Sequence, residues 1–235
     1  MILKKGFFMS DNCRQLHEQL QSLPLIKYPF ELEDLPQNGI YFFFEIGEIW
    51  GHGGNQERIV RIGSHRQGNF RSRISEHFLL NEMNMDFNKD KPKPSDRSIF
   101  RKNIGRALLW RDGDEYVSIW EKDFTTRANK DAYGHLRNID KEKKIETEIT
   151  KIIRENFSFR YIVVDEQAAR LGKNGLEKKY IETVSGCREC RPSENWLGQF
   201  SPLEKIRNSG MWLVQYVKRK NGAKKSTDSR KMMLH

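Results

Sequence analysis

Residues 39–46, GIYFFFEI, read together with residues 57–63, ERIVRIG, decide the fold. The first run is aromatic and β-branched, and the second alternates apolar with charged side chains. The glycine-rich GEIWGHGGNQ between them (residues 47–56) is turn chemistry, so the two runs are expected to pair as an antiparallel hairpin. Immediately downstream, NFRSRISEHFLLNEM (residues 69–83) sets Phe70, Ile74, Phe78 and Leu79 at helical spacing. A helix there lays its apolar side on the hairpin and leaves its arginines elsewhere on its circumference.

Farther along, DKEKKIETEITKIIRENF (residues 140–157) is the strongest helical pattern, with Ile145, Ile149, Ile152 and Ile153 on one face. FRYIVVD (159–165) follows as a buried strand. EQAARLGKNGLEKKYIETVSG (166–186) then reads as helix, glycine-containing break and helix, with Leu176, Tyr180 and Val184 inward and Glu177 beside that stripe. In the middle, NMDFNKDKPKPSDRS (84–98) is polar and proline-containing, a loop or mobile insertion. IFRKNIGRALLW (99–110) suggests a short helix and EYVSIW (115–120) a strand-like piece. RQLHEQLQSL (14–23) looks like an added helix, and WLGQFSPLEKIRNSGMWLVQYV (196–217) like a capping element docked on the same core.

This order describes an α+β domain on a small, mostly antiparallel three-stranded sheet flanked by helices. The expected divisions are an N-terminal helical extension over 1–38, a main domain over 39–200 with an insertion at about 80–132, a capping element over 201–218 and a basic disordered tail over 219–235.

A length of 235 residues favours one domain or at most two. Lysine and arginine number 42 against 32 aspartate and glutamate, a formal charge of +10. That surplus suits a polyanionic partner, nucleic acid before an anionic membrane surface. Part of it lies in VKRKNGAKKSTDSRK (217–231), a polar run that serves either solubility or contact with a phosphate backbone. MILKKGFFM has no secretory cleavage pattern and no stretch has the apolar length of a membrane span, so a cytoplasmic protein is expected.

Three cysteines do not make a disulfide framework. Cys187 and Cys190 form a CxxC, but a structural zinc site needs four ligands and no second pair is visible. Completion by Cys13 and a histidine would take a long-range coincidence, so the pair is expected to be ordinary loop thiols.

Gly39-Ile40-Tyr41, then Ile62-Gly63, then RxxxHF from Arg73 to Phe78, then LExxYI around Glu177 occur in the order found in the GIY-YIG nuclease superfamily. The chain resembles that superfamily from about Gly39 to Asn195. The resemblance implies a small three-stranded sheet with helices, and cleavage of a phosphodiester by a tyrosine, an arginine, a glutamate holding one divalent metal and often a histidine. Carried over, it assigns Tyr41, Arg73, His77 and Glu177 as catalytic, with Glu177 binding Mg²⁺ or Mn²⁺. Arg61, His65 and Asn195 are candidates for lining the site. Arg61 stands where the tyrosine of the second signature would be. Activation of water then falls to Tyr41 or His77, or the chain is a non-cutting relative.

The residue types suit the chemistry on their own terms. A planar guanidinium such as Arg73 can hold two phosphoryl oxygens at once, and a hard divalent ion needs only one or two carboxylates plus water. A tyrosine makes a better base beside a cation, which Arg61 supplies if its side chain turns inward. The expected function is a metal-dependent endonuclease acting on DNA, of restriction, repair or mobile-element type. The alternative is a nucleic-acid-binding protein on the same fold that has lost cleavage. Charge does not separate DNA from RNA, and site-specific cutting by a lone domain often calls for a homodimer on a palindrome.

Overall fold

The structure is a computed structural model that describes residues 12–218. The run expected as a basic tail, 219–235, lies outside the described residues.

Helix α1 (Cys13–Gln21) begins behind Asn12, whose side chain accepts from the Arg14 amide. After a short strand β1 (Ile26–Lys27) come the hairpin strands β2 (Ile40–Ile49) and β3 (Glu57–Ser64) and helix α2 (Phe70–Phe78). The middle of the chain gives α3 (Ile99–Arg111), α4 (Val117–Trp120) and α5 (Arg127–Tyr133). Then follow α6 (Ile139–Asn156), β4 (Phe157–Ile162), α7 (Gln167–Arg170), α8 (Leu176–Gly186) and α9 (Glu204–Ser209).

Among the described residues the strands form one antiparallel sheet in the order β1-β4-β2-β3, with Tyr41 opposite Gly63 on one side and Tyr161 on the other. This is one strand more than the three expected. β1 is two residues of the N-terminal lead-in laid against Ser158 and Phe159, too short to show a period of two in sequence.

The aromatic run of β2 has no polar alternation because both faces of the sheet are covered. Ile40, Phe42 and Phe44 pack with Leu16 and Leu20 of α1 and Tyr180, Ile181 and Val184 of α8. Tyr41 and Phe43 face the other layer, with Phe70, Ile74 and Phe78 of α2, Phe100 of α3 and Ile149 and Ile153 of α6. Phe43 is fully buried among the rings of Phe78, Phe100, Phe157 and Phe159, worth about 1.5–3 kcal/mol in burial alone.

Residues 115–120 are helical, not the expected strand. Asp114 accepts the Tyr116 amide at 2.9 Å and starts a helical turn, and Trp120 then fills the space over Gly105 and donates from Nε1 to the Lys102 carbonyl at 3.2 Å. The preceding loop is held rather than mobile. Lys93 is fully buried, 2.8 Å from Asp96 and about 5.0 Å from the rings of Trp120 and Phe124. The capping element also divides its contacts. Trp196, Ile206 and Trp212 join one core layer, Met211 and Leu213 the other.

Candidate active site

β2 and β3 place Tyr41 directly across from Gly63. A Cβ at Gly63 would meet the Tyr41 hydroxyl at 2.2 Å, so the ring can lie over β3 only because that residue is glycine. The glycine of the second signature thus has a packing reason: it makes room for the tyrosine of the first.

α2 supplies the next two groups one turn apart. His77 Nε2 lies 2.9 Å from the Tyr41 hydroxyl, and its Nδ1 lies 2.8 Å from Ser98 Oγ. Ser98 caps α3 by accepting the Arg101 amide, which leaves its hydroxyl hydrogen free for His77 Nδ1. With Ser98 donating to Nδ1, the imidazole proton sits on Nε2 and is directed at the Tyr41 oxygen. Burial, aided by the charges of Arg73, Arg61 and Arg101, holds the His77 pKa well below the usual 6.5, so the ring is neutral. Arg73 reaches the Glu76 carboxylate and the Arg97 carbonyl, each at 2.8 Å.

Arg61 does turn inward. Its guanidinium sits 4.9 Å from the Phe100 ring centre, and Nη1 donates to the Trp212 carbonyl at 2.7 Å. Its Nε is buried with no partner among the described residues. Burial lowers its pKa, while Tyr41 and Glu177 favour its charged form.

Glu177 projects from the first turn of α8, where the helix dipole favours a carboxylate. Burial nevertheless pushes its pKa up to about 7, against the charge of Arg61, the Ser64 backbone N–H and the charges of Arg73 and Arg170. His65 borders the group. Its Nδ1 accepts the Arg66 amide at 2.7 Å, and burial and Arg73 lower its pKa. Asn195 is exposed in the turn before Trp196, and among the described residues no hydrogen bond links it to Tyr41, Arg73, His77 or Glu177.

Two contributors carried no sequence signal. Ser98 lies in a polar loop, and Arg170 in AARLGK looks like a surface charge. Arg170 is buried, donates to Gln67 Oε1 at 2.9 Å, and has an Nε without a partner among the described residues.

A second constellation gathers at Cys187 and Cys190, which were expected from the sequence to be ordinary loop thiols. Cys13 and His52 come to them, and the four ligand atoms lie within 4.8 Å of one another.

The model of a protein family described as the GIY-YIG domain matches residues 10–231. No curated protein and no solved structure matches the chain.

Proposed function

The chain belongs to the GIY-YIG family, and from that membership we propose that it is a nuclease that hydrolyses phosphodiester bonds in DNA with one divalent ion, Mg²⁺ or Mn²⁺, held at Glu177. The observation that carries this reading is the Tyr41–His77 hydrogen bond, at 2.9 Å, together with the buried Arg61 beside it and the Glu177 carboxylate, which feels the charges of Arg61, Arg73 and Arg170. Two of those arginines keep a buried Nε unsatisfied. Buried donors are rarely left bare, and the oxygens of a phosphate would satisfy them.

A single hard carboxylate fits an ion that keeps most of its waters, so Glu177 is a suitable ligand for Mg²⁺. When bound, the ion neutralises charge on the phosphoryl group and the leaving oxygen. Tyr41, after releasing its own phenol proton to solvent, takes the proton of the attacking water. His77, buried with both ring nitrogens engaged, is a positioning residue that donates to the phenol oxygen and steadies its anion. Arg73 holds phosphoryl oxygens, and Arg61 adds positive charge where the family's second tyrosine would stand. Site-specific cutting by a lone domain often uses a second copy on a palindrome, so a homodimer belongs to this reading.

Arg61 also supports the other reading. Tethered to the Trp212 carbonyl and stacked on Phe100, it occupies the place of a reactive tyrosine, as it would in a nucleic-acid-binding relative that no longer cuts.

Supercoiled plasmid with Mg²⁺ or Mn²⁺ separates the two. Wild type is expected to nick or linearise it, and Tyr41→Phe, Arg73→Ala and Glu177→Gln are each expected to lose about 10²-fold or more with circular dichroism unchanged. Cutting by Glu177→Gln at the wild-type rate would sink the assignment. Intact DNA and RNA with salt-sensitive binding would establish the non-cutting relative.

A further inference from the structure

Glu177 stands at the start of α8, and a different set of groups meets at its other end. Cys187 caps α8 ten residues after Glu177 (187 − 177), about 15 Å along the helix. Cys190 follows in the loop, Cys13 comes from the first residue of α1, and His52 from the turn between β2 and β3.

We propose that Cys13, His52, Cys187 and Cys190 form a structural zinc site, separate from the nuclease centre.

The donor set is that of a tetrahedral Cys₃His site. Zinc–sulfur bonds of about 2.3 Å and a zinc–nitrogen bond of about 2.0 Å at tetrahedral angles give S···S edges of about 3.8 Å and S···N edges of about 3.5 Å. The Cys13 and Cys190 sulfurs are 3.7 Å apart, and Cys187 Sγ is 3.5 Å from His52 Nε2. Thiolates and imidazole together select zinc over hard ions such as Mg²⁺.

The surroundings are arranged for the same purpose. His52 Nδ1 lies 2.6 Å from the Glu189 carboxylate, which fixes the proton on that nitrogen and leaves the Nε2 lone pair facing the sulfurs. Backbone amides point at two of the sulfurs: Cys190 N–H at Cys187 Sγ and Gly51 N–H at Cys190 Sγ, each at 3.5 Å. Gly51 can come this close only as glycine, because a Cβ there would lie 2.0 Å from the Glu189 carbonyl oxygen. His17 is near as well but is not a ligand. Its Nε2 accepts the Ile59 amide at 3.0 Å, and its Nδ1 donates to the Cys13 carbonyl at 2.8 Å. An open groove of about 520 Å³, lined by Cys13, His52 and Cys187 among others, gives an ion a way in.

A disulfide is the rival use of these thiols, but it would join two of them and leave the third and His52 unexplained. Binding of Zn²⁺ displaces one proton from each of the three thiols to solvent and leaves His52 neutral. The ion ties α1, the hairpin turn and the loop after α8 to one point.

The test uses full-length protein without a histidine tag, purified under reducing conditions from zinc-supplemented medium. Native mass spectrometry and elemental analysis are expected to give one zinc per chain. Replacement by Co²⁺ is expected to give the visible bands of tetrahedral cobalt and a near-ultraviolet thiolate charge-transfer band, both lost in Cys187→Ser. No oxygen ligand at Glu177 can produce that band, so the result is independent of the nuclease reading. Folded wild-type protein that carries no zinc and gives no charge-transfer band with Co²⁺ would overturn the proposal, as would a Cys13–Cys190 disulfide in protein purified without reductant from the same medium. Because wild type carries these readouts, failure of a variant to fold does not blur the outcome.

Discussion

Tyr41, His77 and Ser98 are joined end to end by hydrogen bonds inside the core. This chain has a cost that pH can expose. An unfolded chain takes up a proton on His77 near pH 6.5, whereas the folded one refuses it because the ring is buried beside Arg73, Arg61 and Arg101. The contribution of His77 to stability is therefore complete above about pH 6.5 and is lost progressively as pH falls below it, at up to about 1.4 kcal/mol per pH unit. Urea unfolding followed from about pH 7.5 to about pH 5 is expected to show a steeper acid loss in wild type than in His77→Gln. Equal slopes would mean that the ring is protonated in the folded protein. At this scale the sequence was informative about identity and silent about orientation. The motif spacing singled out Tyr41, Arg73, His77 and Glu177, but only the register of β2 on β3 put Arg61 on the Tyr41 face.

Among the elements, α3 departs most from the amphipathic pattern that makes a helix legible. Its buried residues include Arg101, Lys102, Asn103 and Arg106. The cations among them are satisfied from outside the helix: Arg101 by Glu146, Lys102 by Asp96 and the Lys122 carbonyl, and Arg106 by Glu121. Arg101 meets Glu146 of α6 at 2.7 Å with both side chains fully buried, and Glu146 also accepts the Ser95 amide at 2.7 Å. Arg137 and Glu142 form a second fully buried pair at 2.6 Å, to which Tyr116 donates its hydroxyl. The apolar stripe of α6 was plain in the sequence, but nothing in that pattern marked Glu142 and Glu146 as buried. Removing one member of a buried pair strands the other, so Glu146→Ala is expected to cost about 3–5 kcal/mol in urea denaturation. The exposed neighbour Glu148 provides the control, and Glu148→Ala is expected to change stability by less than about 0.5 kcal/mol. Similar values for the two would show that the Arg101–Glu146 pair does not hold the middle segment to α6.

For the molecule as a whole, the sheet carries a different chemistry at each end of α8. The charges of Arg61, Arg73 and Arg170 act on Glu177, and thiols and an imidazole gather after Gly186. The two ions are expected to respond oppositely to removal. Withholding Mg²⁺ is expected to stop the proposed cleavage and to leave the melting temperature nearly unchanged. Stripping zinc with a strong soft-metal chelator is expected to lower it by about 10 °C or more, since each kcal/mol moves it by roughly 2–4 °C at this size. An unchanged melting temperature after verified zinc loss would deny the site a structural role. Among the described residues no helix is long and apolar enough to cross a membrane.

The sequence by itself determined the α+β class, the hairpin, and helices α2, α6 and α8. These rest on periodicity and on spacing within short segments, where neighbours in sequence are neighbours in space. The tertiary structure alone decided the inward turn of Arg61, the burial of Arg170, the contact of Ser98 with His77, the fourth strand, and the meeting of Cys13 with Cys190 across 177 positions. Such meetings depend on which layer covers which face of the sheet. Here α1 and α8 pack on the same face, and that shared layer brings the start of the described chain to the end of α8.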